Sequence, residues 1–215
     1  ELHEQFGGVV PEIAARAHVE RILPVIELTL QRAKKSLQDM DVIAVANEPG
    51  LGGSLLVGLV AAKTLALSLG KPLITINHLW AHVFACQLGK QESIFPCVGM
   101  VVSGGHSTLY RCDSPVSFEV LGGTIDDAAG EAFDKVAKML DLGMPGGPLV
   151  EEWAQKGDPD RFSFPKPLLK EKRLDFSFSG LKTAVRLAAE KLAPLSDQDV
   201  ADICASFQAT ILKIL

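Results

Sequence analysis

The chain has 215 residues, of which 47% are hydrophobic and 22% are charged, and its net charge is −5. This composition is typical of a packed globular protein with one large domain or two small ones. The negative net charge argues against a broad nucleic-acid-binding surface, but not against a local one. No uncharged apolar run reaches the roughly 18 residues that a membrane helix needs, so we expect no membrane contact. Four cysteines without C-x-x-C spacing favour reduced thiols and a cytoplasmic protein.

The first helical pattern follows a glycine-rich turn at residues 6–12. Pro11 suits the first position of a helix, and Pro24 predicts that the pattern divides into two helices. Glu12 and Arg16 stand four residues apart. They could form an ordinary ion pair on the helix surface or line a cleft beside His18.

A strand–helix–strand unit comes next, with strands at residues 42–47 and 72–77 and a helix at 55–69. The glycine loop at 48–54 leads from strand to helix, an arrangement that can bring an anion to a helix N-terminus. It matches neither common phosphate-binding motif, so this indication is weak.

The second strand leads directly into a helix that carries two histidines. Asn77 can cap this helix, and His78 and His82 leave one face because they are four residues apart. Such a pair can share one metal ion, or it can form hydrogen bonds with nearby backbone. Leu79 follows His78, so the H-E-x-x-H motif of metalloproteases is absent.

The second half begins with three predicted strands, at residues 97–103, 106–112 and 118–121. Gly104 and Gly105 predict a tight hairpin turn. With the hydroxyls of Ser103 and Ser107, the turn could cradle a phosphate, although a plain hairpin turn explains the same residues.

A helix predicted at residues 126–140 carries a row of acids. Asp127, Glu131 and Asp134 share one face, and Gly130 costs up to about 1 kcal/mol relative to alanine in mid-helix. Either a ligand packs on this face or the first acids only complement the helix dipole.

The remaining chain contains loops and three further predicted helices. A glycine loop at residues 144–149 precedes a short helix with Glu151. The stretch at 158–172, with Arg173 directly after it, is rich in basic residues and is the best local candidate for an RNA contact, or else a solvated loop. A helix ending near residue 192 follows, and then Ser196 and Asp199 form a capping box for the last helix.

Seven of these segments, in this order, resemble the tRNA adenosine threonylcarbamoyltransferases, the TsaD family formerly called O-sialoglycoprotein endopeptidases or glycoproteases. They are residues 7–12, 50–58, 77–82, 103–106, 126–135, 145–148 and 176–183. The chain departs from the family pattern at Glu48, Ser107, Asp141 and Met144, none of which removes a catalytic group.

The resemblance implies an α/β protein with the actin-like ATPase (ribonuclease-H-like) fold in two lobes. Residues 1–96 would form the first lobe, with the histidine pair at a helix start, and residues 97–215 the second. We expect the chain to be truncated at both ends, without the family's opening phosphate loop and without the aspartate that completes its metal site.

The resemblance also implies the site residues. His78 and His82 would bind one divalent metal ion per subunit, iron or zinc. The residues that would bind adenine nucleotide or threonylcarbamoyl-AMP are Val101, Val102, Ser103, Gly104, Gly105, Asp134, Gly147 and Glu151. No general base is evident, so the catalytic residues stay unassigned.

The implied reaction transfers the threonylcarbamoyl group from threonylcarbamoyl-AMP to the adenosine next to the anticodon of tRNAs that read ANN codons. The expected partners are tRNA and TsaB-like and TsaE-like proteins. Two alternatives stay open at this point: a metal-dependent O-sialoglycoprotein endopeptidase, and a non-catalytic scaffold that binds nucleotide.

Overall fold

The computed structural model describes residues 9–215, in two compact units that end and begin at Lys90 and Gln91. Each unit contains helices and strands, so the chain is a mixed α/β protein, as the sequence predicts. The first unit ends slightly before residue 96, where the sequence analysis places the boundary. The start of the predicted turn at 6–12 lies outside the described residues.

In the described part of the first unit, a parallel strand pair is connected through a helix. Its elements are α1 (Pro11–Ala33), β1 (Ile43–Glu48), α2 (Gly52–Leu69), β2 (Leu73–Asn77) and α3 (His78–Ala85). β1 and β2 are parallel, with Ile43 opposite Leu73, and α2 is the crossover between them and packs on α1 and β1. The predicted strand–helix–strand unit is therefore confirmed.

The prediction that Pro24 divides α1 was wrong, because one helix runs from Pro11 to Ala33. Proline has no backbone N–H, so the carbonyl of Glu20 loses its helical partner. Pro24 is exposed, and water can satisfy that carbonyl. Pro11 begins the helix as predicted, and the ion pair between exposed Glu12 and Arg16 (2.6 Å) is ordinary helix support.

The length and composition of α2 also bear on membrane contact. Among the described residues, it is the helix long and apolar enough to cross a membrane by length and composition alone. A helix of a water-soluble protein can meet the same criterion, so one such helix is weak evidence for a membrane span. Lys63 in its middle interrupts the apolar run.

The second unit contains an antiparallel sheet and a helical core. Its elements are β3 (Cys97–Val102), β4 (Ser107–Ser114), β5 (Ser117–Gly123), α4 (Ala129–Met139), α5 (Gly146–Ala154), α6 (Ser179–Leu192) and α7 (Asp197–Ile214). The strands pair in the order β3-β4-β5, with Val102 opposite Ser107 at the predicted hairpin turn. Phe178, Leu181, Ile203 and Phe207 are fully buried between the helices.

An ion-pair network attaches the loop after α5 to α7. Arg161 contacts Asp202 and Asp199, each at 2.6 Å, and Asp202 is only 4% exposed. Asp202 also accepts hydrogen bonds from the amide of Asp158 (2.7 Å) and from Gln198 (2.8 Å). A buried carboxylate needs such partners, so this network orders the loop. Asp199 also forms the predicted capping box with Ser196.

This network predicts a loss of stability in acid. Hydrogen bonds from Ser196, and then from Arg161, lower the pKa of Asp199 to about 2. A carboxylate with a depressed pKa stabilises the fold above its unfolded pKa, near 3.9, and this contribution is lost as the pH falls towards 2. Asp199→Asn should therefore be less stable than the wild type at pH 7 and similar to it at pH 2. Denaturant unfolding at pH 7, 4 and 2 measures this.

The matched control is Asp160→Asn, which changes an exposed aspartate in the same loop. It should unfold like the wild type at every pH. If Asp199→Asn kept the wild-type pH dependence between pH 4 and 2, Asp199 would not be the group responsible.

Candidate functional site

The structure divides the predicted site residues between the two units. His78 and His82 lie at the start of α3, in the first unit. The predicted nucleotide-binding residues all belong to the second unit, at the end of β3, in the hairpin turn and on α4 and α5. Each group is built locally, from different elements.

The histidine pair lies on a capped helix start. The side-chain oxygen of Asn77 accepts hydrogen bonds from the amides of Leu79 (3.0 Å) and Trp80 (3.2 Å), so the predicted cap is confirmed. The Nε2 atoms of His78 and His82 lie 3.1 Å apart. Two nitrogens that bind one tetrahedral zinc at about 2.0–2.1 Å would be about 3.3 Å apart, so the geometry suits two ligands of a shared ion.

The described residues do not complete such a site by themselves. No group of three or more His, Cys, Asp or Glu side chains that could hold a metal occurs in residues 9–215. The pair therefore offers two ligand positions, and a closed metal site would need further donors.

The hairpin turn between β3 and β4 has an unusual pair of glycines. The amide of Ser103 donates to the carbonyl of His106 (2.8 Å), and the amide of His106 donates to the Ser103 hydroxyl (3.1 Å). Neither Gly104 nor Gly105 has a positive φ, and a Cβ at either position would meet no atom within 4 Å. Nothing in the described protein requires glycine there. Glycine lets a ligand approach the backbone closely, so the turn suits an anionic ligand.

The turn lies directly on the N-terminus of α4. The amide of Gly130 donates to the carbonyl of Ser103 (3.2 Å). A Cβ on Gly130 would lie 2.7 Å from both the Ser103 carbonyl oxygen and Gly104 Cα, so only glycine fits. Gly130 is the second residue of α4 and not a mid-helix residue, and its close partner is the hairpin turn.

Ser107 has a structural role in the same contact. Its hydroxyl is 1% exposed and accepts a hydrogen bond from the amide of Ala129 (2.9 Å), the first residue of α4. The Ser103 hydroxyl remains in the turn, whereas the Ser107 hydroxyl is used to cap α4. The predicted two-hydroxyl phosphate cradle is therefore reduced to one hydroxyl.

The predicted helix start at residue 126 was wrong, because α4 begins at Ala129. Asp126 instead caps a different helix, α6. Its carboxylate accepts hydrogen bonds from the amide of Phe178 (2.8 Å) and the hydroxyl of Ser179 (2.9 Å), and from Ser177. Burial raises the pKa of Asp126, but these hydrogen bonds outweigh it and the pKa lies below its ordinary value.

The acids on α4 and just before it have partners within the protein. Lys135 contacts Asp127 (2.5 Å) and Glu131 (2.7 Å), and these contacts raise the pKa of Lys135. Asp134 Oδ1 accepts a hydrogen bond from the amide of Gly146 (2.8 Å), the first residue of α5. Asp134 differs from the other two because its partner is a backbone amide and not the Lys135 ammonium.

The α4–α5 contact completes a continuous surface. A Cβ on Gly146 would lie 2.6 Å from Asp134 Cα, whereas Gly147 is open and has no neighbour within 4 Å of such a Cβ. Exposed Glu151 lies one helical turn after Gly147. The turn contacts α4 at Gly130, and α4 contacts α5 at Asp134, so these predicted residues are brought together.

The two valines before the turn face opposite sides of the sheet. Val101 is 6% exposed and Val102 is 45% exposed. Only Val102 has a side chain available to a ligand, and Val101 could take part through its backbone alone.

An open cavity of about 600 Å³ lies beside α6, and the sequence analysis missed it. Its lining consists of Asp127, Lys135, Ser179, Gly180, Lys182, Thr183 and Arg186. The sequence signal was the spacing of Lys182 and Arg186, which places two cations on one face of α6.

The geometry defines a mixed α/β protein with a paired-histidine helix start in one unit and a glycine turn backed by a helix N-terminus in the other. Paired histidines can supply two ligands to a metal ion, and a glycine turn at a helix N-terminus can bind an anionic group.

Comparison with known proteins gives the family. The family model of TsaD, tRNA N6-adenosine threonylcarbamoyltransferase, matches residues 1–215, and the chain belongs to this family. Proteins of that description from Rhodopirellula baltica and Rhizobium johnstonii are each 58% identical to it, over 100% and 99% of the chain and 62% and 58% of their own length. The Agrobacterium fabrum protein is 55% identical over 100% of the chain and 59% of its own length. The chain thus spans about 60% of these relatives.

A solved structure described as "YeaZ from Pseudomonas aeruginosa" is a more distant match. It covers 48% of this chain and 53% of its own, with 19% identity and a TM-score of 0.37. This likeness is too low to bear on the fold.

The Gly130 contact makes a prediction about stability. Alanine is favoured over glycine in a helix by about 1 kcal/mol, yet Gly130→Ala should destabilise the protein. The new Cβ would collide with the backbone of Ser103 and Gly104, and overpacking of this kind typically costs about 1–3 kcal/mol. Thermal unfolding followed by circular dichroism measures the effect.

Gly52→Ala is the matched control, because Gly52 begins α2 and a Cβ there meets nothing within 4 Å. It should leave stability unchanged or raise it slightly. If Gly130→Ala were as stable as Gly52→Ala, the turn would not be held tightly against α4.

Proposed function

We propose that the protein containing this chain transfers the threonylcarbamoyl group from threonylcarbamoyl-AMP to the N6 amine of the adenosine next to the anticodon, in tRNAs that read ANN codons. The observation that carries the proposal is the family match over residues 1–215, with relatives at 55–58% identity. The glycine turn on α4 supports it, because a phosphorylated acyl donor needs backbone amides that it can approach.

The donor would lie along the continuous surface of the turn, α4 and α5. The turn at Ser103, Gly104 and Gly105 would contact the phosphate through backbone amides and one hydroxyl. Asp134 can accept a hydrogen bond from a ribose hydroxyl with the oxygen that Gly146 does not use. Gly147 leaves room for the nucleoside, and Glu151 stands one turn further along.

The reaction is an acyl transfer. The adenosine nitrogen forms a bond to the threonylcarbamoyl carbonyl carbon, the bond from that carbon to the phosphate oxygen breaks, AMP leaves and the amine loses a proton. No group placed to act as a base is evident in the described site, so positioning of donor and acceptor would supply much of the rate. Cys204 is no candidate nucleophile, since burial raises its pKa to about 12.

His78 and His82 would hold the divalent metal ion, iron or zinc. Their 3.1 Å nitrogen separation fits two ligands of one ion. When bound, such an ion would neutralise charge that develops on the departing phosphate.

The wider setting follows from the family. We expect the actin-like ATPase fold with two lobes, TsaB-like and TsaE-like partner proteins, and a cytoplasmic location. No observation favours the glycopeptidase alternative, because Leu79 stands where a metalloprotease helix has its glutamate.

Mass spectrometry of tRNA tests the function directly. The full-length protein, with its partner proteins, threonylcarbamoyl-AMP and a tRNA transcript, should convert the adenosine next to the anticodon to its threonylcarbamoyl form. A transcript in which that adenosine is replaced by guanosine is the control. An unmodified adenosine in the complete mixture would contradict the proposal.

The metal assignment predicts that each histidine is needed. His78→Ala or His82→Ala in the full-length protein should lower the bound metal and the tRNA modification together, because each removes one ligand. Elemental analysis of the purified protein measures the metal. His18→Ala is the control, since the ring Nδ1 of His18 donates to the Ala14 carbonyl (2.7 Å) within α1. Full metal content in both α3 variants would exclude the pair as ligands.

The nucleotide assignment predicts an effect of charge at position 134. Asp134→Asn keeps an oxygen that can accept from Gly146 but removes the negative charge. It should weaken adenine nucleotide binding about tenfold or more, because hydrogen bonds to charged groups contribute about 1.5–3 kcal/mol. Metal content should stay unchanged.

Titration calorimetry with the full-length protein measures the affinity. Glu152→Gln, an exposed change on α5, is the control and should bind like the wild type. If Asp134→Asn bound adenine nucleotide as tightly as the wild type, Asp134 would have only a structural role, through its hydrogen bond to the first residue of α5.

A further inference from the structure

One segment of the second unit differs sharply in charge from the rest of the chain. Residues 165–186 contain six lysines and arginines and two acids, whereas the whole chain contains 21 and 26. The segment consists of a loop, 165–178, and the first two turns of α6. We call the surface formed by its lysines and arginines the basic surface.

The structure holds this loop at both ends. Near its start, Pro167 packs against Gly180, where a Cβ would lie 3.7 Å from Pro167 Cγ. Near its end, the Leu174 carbonyl lies so close to Gly122 that no Cβ would fit there, and Asp175 accepts a hydrogen bond from the amide of Gly123 (3.2 Å). The loop therefore runs between the start of α6 and the end of β5.

The cations of this surface fall into two groups. Arg173 pairs with Asp175 (2.7 Å), and Arg186 pairs with Glu190 (3.4 Å). Nearby Lys135 pairs with Asp127 and Glu131. The second group has no hydrogen-bond or ion-pair partner among the described residues. It consists of the four lysines of the segment, Lys166, Lys170, Lys172 and Lys182. Three of them, Lys170, Lys172 and Lys182, are exposed.

The basic surface lies close to the predicted donor turn. Asp126 binds the first residues of α6, and α4, which begins three residues later, lies on the turn at Ser103. Short contacts thus connect the turn, the start of α4 and the start of α6. The cavity beside α6, with Lys182 and Thr183 in its lining, opens next to this connection.

We propose that the basic surface binds the phosphate backbone of the RNA acceptor beside the adenosine that is modified. This inference rests on the proposed function. Four unpaired lysines on an otherwise acidic chain complement a polyanion, and lysine binds phosphate as a mobile point charge. Leu169 and Leu174 are also exposed, at 52% and 54%, so a partner protein is the competing occupant that the experiment must exclude.

The test uses the full-length protein with its partners and a tRNA transcript. The triple variant Lys170→Ala/Lys172→Ala/Lys182→Ala should weaken RNA binding at least tenfold near 0.1 M salt. The slope of log K against log salt should also become shallower by about 0.7–0.9 for each lysine–phosphate interaction that the variant removes. The tRNA concentration needed for half-maximal modification should rise, while nucleotide affinity stays unchanged.

Two matched variants control for position and for charge. Lys191→Ala removes a lysine from the same helix, nine residues after Lys182 and so on the opposite face, and should leave affinity and salt slope unchanged. The triple Lys→Arg variant keeps the charge and should keep wild-type RNA binding and salt slope. Retained binding would show that this variant is folded and that the RNA recognises the charge and not a contact specific to lysine.

The outcomes separate this inference from the function. If the wild type modifies tRNA and the triple alanine variant binds RNA with wild-type affinity and slope, the basic surface is not the RNA contact. The same holds if the variant loses a partner protein but keeps its RNA affinity. If the wild type neither binds nor modifies tRNA, the proposed function fails, and this inference fails with it.

Discussion

The contact between the hairpin turn and the start of α4 determines most of what the second unit can do. Gly130 brings the α4 backbone against Ser103 and Gly104, and the buried Ser107 hydroxyl caps Ala129. These interactions orient the turn relative to the helix axis, so the amides of the turn and the positive end of the helix dipole lie together. Any side chain at 130 would separate them.

Helix caps supplied from distant residues extend this arrangement. Asp126 caps α6 from the chain just before α4, and Asp134 caps α5 from the middle of α4. Each carboxylate satisfies amides that would otherwise lack partners at a helix start. One short stretch of chain therefore sets the positions of α4, α5 and α6, which carry the predicted donor site and the basic surface.

In this arrangement the acidic and the basic side chains of the second unit have different roles. The acids at 126, 127, 131 and 134 bond to amides, hydroxyls or Lys135 within the unit, and those bonds are part of the fold. The unpaired lysines lie on the following loop and on α6, where they face solvent. An acidic chain can thus present a local cationic surface, because the acids that lie near this surface are bonded to partners within the unit.

Local sequence was enough to determine several features. The Asn77 cap, the Ser196–Asp199 capping box and the hairpin at Gly104 and Gly105 were predicted correctly, since each depends on neighbours a few residues away. The crossover through α2 was also predicted correctly, because two parallel strands need a crossover connection, which is usually a helix. The histidine spacing likewise required the two rings of α3 to converge. Family membership also followed from sequence, because seven segments match in order.

Only the tertiary structure decided what the acids and glycines between residues 103 and 147 do. Asp126 and Ser177 are 51 residues apart, and Ser107 and Ala129 are 22 apart, so no local pattern reveals that they bond. A glycine that allows close packing, such as Gly130 or Gly146, has the same sequence signal as one that is open, such as Gly104 or Gly147. The difference lies in which backbone approaches each one, and that depends on how α4, α5 and the hairpin pack.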